Sequence, residues 1–350
     1  MIKNLLSGIF IVWCCAISTG LCQNPAKNGT FRNPLLPTGP DPWVIQKNGY
    51  YYYCNTTGVN ITLWKTKNLA DLASAEKHVV WTPPAGEVYS RELWAPELHF
   101  LQGKWYIYVA ADDGKNDNHR VWVLENSDAE PTTSNWTLKG KITDPTDRWA
   151  IDMSVFEMNK KLYVVWSGWD GAENVSQNIY IAQLKNPWTI EGARTKIASP
   201  VYDWEKVGAS NSLPVVNEGP QFLRQSPKSK KVFIVFSASG CWADGYKLGL
   251  LEARADADLM QASSWKKFPE PVFVANPDGE AFAPGHNSFF QSPDGKEHWI
   301  IYHANPKPNQ GCGKFRSPRM QPFTWKADGT PDFGKPIALQ QEINLPSGQK

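Results

Sequence analysis

An excess of charge of either sign is lacking in this sequence. The 36 Lys and Arg residues nearly balance the 34 Asp and Glu residues, which gives a formal net charge of +2 at pH 7. No basic stripe and no long run of like charge occurs along the 350 residues. Because a nucleic-acid-binding protein needs a clustered positive surface, we expect no nucleic-acid partner. The balance also gives no reason to require an acidic polymer as substrate.

Two further absences bear on the fold. No low-complexity linker divides the chain, so we expect one domain. No long helical pattern follows the amino terminus, and short apolar runs separated by Gly, Pro, Asn and Asp predict a mostly β protein. The 17 Trp, 12 Tyr and 15 Phe residues suit both β-structure and the apolar faces of sugar rings. We expect most of these rings to lie in the core.

The amino terminus is the one region with a targeting pattern. It begins MIKNLLSG, continues as an apolar segment from about Leu5 to Ile17, and then turns to small residues. This pattern is typical of a secretory signal peptide rather than a membrane span. We therefore expect residues 1–22 to be a signal peptide, residues 23–350 to be the mature domain, and the protein to be secreted or periplasmic. A lipid anchor on Cys22 is less favoured, because Leu21 stands where a small residue is required.

Five similar openings recur along the chain, each with a polar residue before or within an apolar run. They are GPDPWVI (Asp41), WAPELHF (Glu97), IDMSVFE (Asp152), NEGPQFL (Glu218) and PGHNSFF (His286). Their spacings are 56, 55, 66 and 68 residues. Each opening precedes an aromatic-rich second strand, a third strand and a more variable fourth segment such as KHVVW or PVFVA. Five units of four strands predict an all-β fold, a five-bladed β-propeller.

The first strand of each propeller blade lines the central channel, so the five openings should converge at one mouth. Chain direction places the loops between second and third strands at the same mouth. We therefore predict that its rim is formed by the loops at 54–60, 111–119, 167–178, 239–246 and 304–315.

Three cysteines lie beyond the predicted signal peptide. Cys241 and Cys312 fall in rim loops of adjacent blades four and five, and Cys54 ends a second strand in blade one. The ring order permits Cys241–Cys312 or Cys54–Cys312. We favour Cys241–Cys312, because Cys54 continues an aromatic strand and is therefore expected to be a buried free thiol.

Three of the polar openings are carboxylates on different blades. Hydrolysis of a glycosidic bond needs one protonated carboxyl group to assist the leaving oxygen and one ionised group on the opposite face of the sugar. When a water molecule must fit between base and sugar, the two groups lie roughly 6.5–9.5 Å apart and the anomeric configuration inverts. A third carboxylate near the acid raises its pKa by repulsion between like charges. Asp41, Asp152 and Glu218 supply such a set.

The motifs DPWVI, WAPELHF, IDMSVF, VNEGPQFL and GPGHNSF, in this order, resemble the glycoside hydrolases of family 43. The resemblance covers nearly all of the chain after the signal segment. The stretches VWVLENS, LKNPWT, GLLEARADADL and ADGTPDFG are most similar to the exo-acting α-L-arabinofuranosidases of that family. The resemblance implies that Asp41 is the general base, Glu218 the general acid, and Asp152 the residue that orients the acid and tunes its pKa. It implies no metal or organic cofactor in the chemistry. Taken singly, Asp41 and Glu218 also suit ordinary turns beside proline.

The resemblance assigns further residues with an alternative for each. Trp94 and Glu97 bind the sugar or hold the entry of their blade. Trp43 forms part of the sugar platform or lies buried between blades. Arg319 reaches the substrate or the base, or lies on a solvated strand face. His286 supports a structural cation in the channel, often calcium and largely through water, or is a core histidine.

The implied activity is that of a secreted, inverting enzyme which releases terminal α-L-arabinofuranose from arabinan or arabinose-decorated plant polysaccharides. β-Xylosidase and endo-arabinanase share the machinery and differ in the pocket walls. A non-catalytic sugar-binding propeller is the alternative from another class, although a lectin has no use for a raised-pKa acid beside a base. The Asn-Asp-Pro-Asn and Arg-Asp-Pro motifs of the related sucrose and fructan hydrolases are absent. We expect a monomer.

Overall fold

The structure, a computed structural model, describes residues 29–349. The predicted signal peptide and Cys22 lie outside the described residues. The fold is all-β, as predicted, and the helical segments of the described part of the chain are five short 3-10 turns: Leu69–Ser74, Asn116–Asn118, Asp203–Glu205, Ala262–Ser264 and Pro277–Gly279. Within residues 29–349, no helix has the length and apolar character that crossing a membrane would need.

The strands of the described residues fall into five successive units of four with antiparallel neighbours, and a short parallel pairing of Ser176–Gln177 with Val215–Val216 joins the third and fourth units into one eight-stranded sheet. The strands are β1 (Thr30–Phe31); in unit one β2 (Trp43–Lys47), β3 (Tyr50–Cys54), β4 (Ile61–Thr66) and β5 (Glu76–Trp81); in unit two β6 (Arg91–Leu101), β7 (Lys104–Asp112), β8 (Arg120–Asn126) and β9 (Thr137–Ile142); in unit three β10 (Ala150–Met158), β11 (Lys161–Gly168), β12 (Ser176–Asn186) and β13 (Thr189–Ala198); in unit four β14 (Val215–Leu223), β15 (Lys231–Ala238), β16 (Lys247–Arg254) and β17 (Lys266–Lys267); in unit five β18 (Phe282–Gln291), β19 (His298–Asn305), β20 (Ser317–Trp325) and β21 (Pro331–Asp332); and β22 (Ile343–Asn344).

The first strands of the five units follow one another in a closed cycle. β2 contacts β6, β6 contacts β10, β10 contacts β14, β14 contacts β18, and β18 contacts β2 again. Near the two ends of the described chain, β1 pairs with β22 in an antiparallel arrangement. In the described part of the chain, an apolar cluster lies between each pair of adjacent units, and these clusters hold large aromatic rings such as Trp105, Phe236 and Trp299. The expectation that most aromatic residues form the core is therefore confirmed.

The predicted second and third strands match the observed ones closely, but the fourth strand of unit four is different. The pattern predicts it at PVFVA, residues 271–275, whereas β17 comprises Lys266–Lys267 and only an isolated bridge joins Phe273 to Leu248. Pro269 and Pro271 stand between the two places. Proline has no N–H to donate to a ladder, so regular pairing ends before them.

A left-handed residue recurs within the first five residues of every first strand or, in unit one, just before the strand. The residues are Asp41 (φ 59°), Ala95 (42°), Asp152 (56°), Gly219 (55°) and His286 (46°). In units two to five this residue falls where the pairing of first and second strands shifts register, which is the geometry of a β-bulge. The sequence alignment of the openings is corrected here: Ala95 rather than Glu97, and Gly219 rather than Glu218, corresponds to Asp41.

The disulfide prediction is confirmed. Cys241 and Cys312 are bonded, with 5.1 Å between their Cα atoms, and Cys54 is a buried free thiol. The bridge joins the loop before β16 to the loop before β20. It therefore connects two neighbouring rim loops.

Removing this bridge is expected to destabilise the protein. A Cys241→Ser/Cys312→Ser double variant should lose roughly 2–5 kcal/mol of unfolding free energy, because the bridge restricts the unfolded chain. Its two cysteines are 71 residues apart in sequence. Urea denaturation followed by tryptophan fluorescence measures the loss. The Cys54→Ala variant is the control that removes a thiol outside the bridge, and a double variant as stable as wild type would contradict the prediction.

Candidate active site

Asp41 is a buried carboxylate with four polar side-chain partners. Its Oδ1 accepts a hydrogen bond from Arg316 Nη1 at 2.9 Å, and its Oδ2 accepts one from Thr56 Oγ1 at 2.6 Å. Nδ1 of His286 and Nδ1 of His303 lie 3.4 and 3.5 Å from Oδ1. Burial alone would raise the pKa of Asp41, but the Arg316 charge, the two imidazoles and the Thr56 hydroxyl hold it well below its usual range. Asp41 is therefore ionised.

Asp152 and Glu218 form a second carboxyl pair with the opposite electrostatics. Asp152 Oδ2 accepts a 2.9 Å hydrogen bond from the Gly219 backbone N–H, and Glu218 Oε1 accepts a 2.7 Å bond from the Tyr246 hydroxyl. Burial, with the neighbouring charges of Glu218 and Asp41, raises the pKa of Asp152 to about 7. Burial also raises the pKa of Glu218. Because each raises the other's proton affinity, this pair retains a proton near neutral pH.

The three carboxylates surround one imidazole. Ligand-type atoms of Asp152, Glu218 and His286 all lie within 4.8 Å of one another, and Nδ1 of His286 lies 3.4 Å from Asp41. A Cβ on Gly219 would approach His286 Nδ1 to 3.3 Å, and Gly219 also has a positive φ, so glycine leaves this ring its space. The structure therefore brings together the three acids and the histidine that the sequence singled out.

His303 and Tyr246 connect the Asp41 side of the cluster with the Glu218 side. The Asp41 backbone N–H donates to His303 Nδ1 at 3.1 Å, so the remaining ring proton is on Nε2. The His303 ring stacks on Tyr246 with a centroid distance of 5.7 Å. Neither residue was a predicted site residue. Their sequence signal is their place at the predicted rim loops, since Tyr246 is the last residue of the loop at 239–246 and His303 directly precedes the loop at 304–315.

Trp94 is partly exposed and directly precedes Ala95, the left-handed residue of unit two. Glu218 has the equivalent position in unit four, directly before Gly219. The Trp94 ring stacks on His119 at 4.0 Å between centroids, and its Nε1 donates to Glu92 Oε2 at 3.1 Å. His119 is buried, with Nδ1 2.9 Å from Asp112 Oδ2. The placement of Trp94 beside the mouth suits the predicted sugar-binding role.

Glu97 and Trp43 lie deeper, at the position two residues beyond the left-handed one. Glu97 is buried, accepts a hydrogen bond from Gln221 Nε2 at 2.5 Å, and lies 2.9 Å from His99 Nε2. Trp43 donates from Nε1 to the Leu98 carbonyl at 2.8 Å and packs on His99. Glu97 thus links unit two to unit four, and Trp43 links unit one to unit two, inside the ring of first strands. Of the two alternatives stated for each, the architectural one describes this placement.

Arg319 lies apart from the carboxylates, and the arginine that contacts Asp41 is Arg316. The Arg319 side chain is fully buried, and its Nη2 is 3.5 Å from the Ala304 carbonyl. This corrects both alternatives for Arg319, since a buried guanidinium is neither on a solvated face nor at the mouth. Three strand residues span about 10 Å, so Arg319 starts too far from the mouth. Arg316 directly follows the predicted rim loop at 304–315, which is the signal that could have found it.

Comparisons with known proteins agree on one family. Residues 31–331 match the model of the glycosyl hydrolases family 43. An extracellular exo-α-(1→5)-L-arabinofuranosidase from Streptomyces avermitilis is 38% identical over 88% of this chain and 64% of its own length. The α-L-arabinofuranosidase 43 of Humicola insolens is 36% identical over 93% of this chain and 66% of its own length. The chain thus spans just under two thirds of these two relatives.

A solved structure is similar over nearly its whole length. The crystal structure of an α-L-arabinofuranosidase from Lactobacillus brevis superposes with a TM-score of 0.82 at 37% sequence identity. The similarity covers 89% of this chain and 98% of that one.

Proposed function

The chain belongs to glycosyl hydrolase family 43, and from this premise we propose that it is an inverting enzyme that releases terminal α-L-arabinofuranose from arabinan or arabinose-decorated polysaccharides. The observation that carries the proposal is the gathering around His286 of one ionised carboxylate, Asp41, and one carboxyl pair, Asp152 and Glu218, that retains a proton. The named activities of the similar proteins supply the sugar. A non-catalytic sugar-binding protein has no use for one carboxyl group of lowered pKa beside two of raised pKa.

We propose that the five units are the blades of a five-bladed β-propeller. Three observations support this arrangement: the four-stranded antiparallel units, the closed cycle of contacts among first strands, and the apolar clusters between successive units. The five left-handed residues then stand around one axial mouth. Loops that precede first strands meet loops between second and third strands there, as in the hydrogen bond from Trp242 Nε1 to the Gly208 carbonyl.

In the proposed mechanism Asp41 is the general base. Its low pKa keeps it ionised, and its carboxylate takes a proton from a water molecule as that water attacks the anomeric carbon. Arg316 and Thr56 fix the orientation of the carboxylate. The water attacks the anomeric carbon on the face of the sugar opposite the leaving oxygen. Its oxygen becomes the new anomeric hydroxyl, so the anomeric configuration inverts.

Glu218 is the proposed general acid. It is the less buried member of the Asp152–Glu218 pair, and the Tyr246 hydroxyl holds one of its oxygens. Glu218 gives its proton to the leaving glycosidic oxygen, while Asp152 keeps the pair's proton affinity high through its buried charge. Trp94 offers a ring face beside the mouth to the bound sugar.

A parallel assay tests the proposed substrate. The protein is incubated with α-1,5-arabino-oligosaccharides, arabinoxylan and xylobiose, and the released monosaccharides are separated. We expect arabinose from the oligosaccharides or from arabinoxylan and no xylose from xylobiose. Activity on xylobiose alone would replace the proposal with a β-xylosidase, and binding without release of any sugar would favour the sugar-binding alternative.

The Arg316→Met variant is expected to move the acidic limb of the pH–activity profile to higher pH. The Arg316 charge stabilises ionised Asp41, so its loss raises the pKa of the base. The ionised base then disappears at a higher pH than in wild type. The basic limb, which reports loss of the proton from the acid pair, should move less. A profile of kcat/KM against pH measures both limbs, and an unmoved acidic limb would contradict this role of Arg316.

We also propose a structural calcium ion near His286, held largely through water and without a part in the chemistry. Glu97, Gln221, His286 and Asn287 line one small pocket together with Asp41. Asn287 is buried, and neither its amide oxygen nor its amide nitrogen has a hydrogen-bond partner within residues 29–349. A carboxylate and an amide oxygen are hard donors of the kind calcium prefers.

Chelation tests the calcium proposal. Dialysis against EDTA should lower the melting temperature, and added Ca²⁺ should restore it while Mg²⁺ restores less. An equal melting temperature in EDTA and in Ca²⁺ would contradict the proposal.

We propose that the protein acts outside the cytoplasm. The Streptomyces avermitilis relative is named extracellular, and a disulfide persists best in an oxidising compartment. Fractionation of the producing cells and light scattering of the purified protein test this location and the expected monomer.

A further inference from the structure

A closed hydrogen-bond network of charged and amide groups lies directly behind the proposed acid. Its three side chains are Glu205, at the end of a 3-10 turn, Asn217 in β14, and Lys267 in β17. Glu205 and Asn217 are fully buried. None of the three belongs to the carboxylate cluster, and the mechanism above does not use them.

Every hydrogen-bonding site of the two charged groups is used. The Lys267 ammonium donates to the Ser199 carbonyl at 2.7 Å, to Asn217 Oδ1 at 3.1 Å, and to Glu205 Oε1. Glu205 Oε2 accepts from the backbone N–H groups of Val201 and Tyr202 at 2.7 and 2.9 Å. An ammonium has three donors and a carboxylate about four acceptor sites, so neither has capacity to spare.

Asn217 is held from all sides by this network and by the neighbouring unit. Its amide nitrogen donates to Glu205 Oε1 and to the Val216 carbonyl, each at 3.0 Å. Its backbone carbonyl accepts from Ser167 Oγ of unit three at 2.9 Å. Four hydrogen-bonding groups, on Glu205, Val216, Lys267 and Ser167, therefore fix the residue immediately before Glu218.

Glu218 itself has few direct restraints. Tyr246 is the one side chain that hydrogen-bonds to its carboxyl group among the described residues. Its backbone lies at the register shift of β14, where regular pairing with β15 is interrupted. Because successive side chains point to opposite faces of a strand, the hydrogen-bond network on the Asn217 side chain lies on the face away from the bound sugar. It fixes the backbone from which Glu218 projects.

Stability alone is a poor explanation for such a network. Replacing a buried ion pair with apolar groups of similar volume is often neutral or stabilising, because desolvating two charges costs about as much as their attraction returns. We propose that Lys267, Glu205 and Asn217 form a positioning network for the general acid. This inference rests on the proposed function, since it assumes that Glu218 protonates the leaving oxygen.

The test uses two leaving groups of different basicity. A 2,4-dinitrophenyl leaving group departs without protonation, whereas a sugar hydroxyl needs the acid. In the Asn217→Leu variant and in the Glu205→Gln/Lys267→Met variant, which removes both charges, kcat on arabino-oligosaccharides should fall by about 10–100-fold, the size of effect that a displacement of about 1 Å produces. The kcat on 2,4-dinitrophenyl α-L-arabinofuranoside and both KM values should change less than about threefold on the same reasoning.

Lys196→Met is the matched control. Lys196 also lies in the fourth strand of its unit and pairs with a carboxylate, Asp170, at 2.8 Å, but the pair is exposed. It should leave both rates unchanged. Equal losses on the two substrates would mean a general structural role and would overturn the proposal, as would no loss on either. If wild type cleaves neither substrate, the proposed function fails instead, so the two failures are distinguishable.

Discussion

The Glu218→Gln variant should lose hydrolysis of natural arabino-oligosaccharides by about 10²–10⁴-fold in kcat, the usual contribution of a general acid. Glutamine keeps the shape of the side chain and can still accept the Tyr246 hydroxyl, but it has no proton to give. Substrate affinity should remain, because the ring contacts of the bound sugar do not depend on this proton. The kcat on the 2,4-dinitrophenyl substrate should be largely spared, since that leaving group needs no assistance.

Glu130→Gln is the matched control for this variant. Glu130 likewise accepts a tyrosine hydroxyl, from Tyr52 at 2.7 Å, and it also pairs with Lys65. It lies in the loop between β8 and β9, at the end of unit two away from the mouth. A Glu218→Gln enzyme with wild-type kcat on oligosaccharides would refute the assignment of the acid.

The Asp41→Asn variant should lose activity on both classes of leaving group by about 10²–10⁴-fold. The water that attacks the anomeric carbon must give up a proton whatever group departs, and an amide cannot accept it. The loss on the dinitrophenyl substrate distinguishes a base from an acid. Steady-state kinetics on both substrates, with equilibrium binding of arabinose oligomers, measures the effect.

Asp256→Asn is the control for the Asp41 variant. Asp256 is also paired with an arginine, Arg254, at 2.6 Å, but both are exposed and lie at the carboxyl end of β16 and just after it, away from the mouth. It should be fully active. If Asp41→Asn retained activity on the dinitrophenyl substrate while losing it on oligosaccharides, the roles of Asp41 and Glu218 would have to be exchanged.

Much of the fold could be predicted because strand formation follows local pattern. The aromatic run YYYYC and the segment KLYVVWSG coincide with β3 and β11, since each is a buried second strand bounded by polar turns. The neighbouring loops allowed Cys241 to pair with Cys312, and the place of Cys54 in an aromatic strand favoured this pairing over Cys54–Cys312. The fourth segments were harder, because edge strands are short and depend on a ladder that Pro269 and Pro271 interrupt.

The parts of the site that were not predicted depend on backbone geometry that residue type alone does not determine. Ala95 takes the left-handed conformation that Asp41 and Gly219 take, although alanine has no intrinsic preference for it. The register of the bulge therefore could not be read from composition, and Glu97 was aligned with Asp41 although it lies deeper. Arg316 was missed for a similar reason, because a difference of three residues decides whether an arginine reaches the mouth.

The buried polar network behind Glu218 could not be predicted from the sequence pattern either. Glu205, Asn217 and Lys267 are separated by 12 and 50 residues along the chain. Each taken alone predicts only a solvent-exposed residue. They become buried because the folding of unit four brings the three side chains together.

The stereochemistry of the first product tests the central claim most directly. Proton NMR recorded in the first minutes of arabino-oligosaccharide hydrolysis distinguishes the two anomers of arabinofuranose before they equilibrate. A base that activates water opposite the departing oxygen predicts β-arabinofuranose as the initial product from an α-linked substrate. Initial release of α-arabinofuranose would contradict it, because retention requires one of the carboxylates to act as a nucleophile.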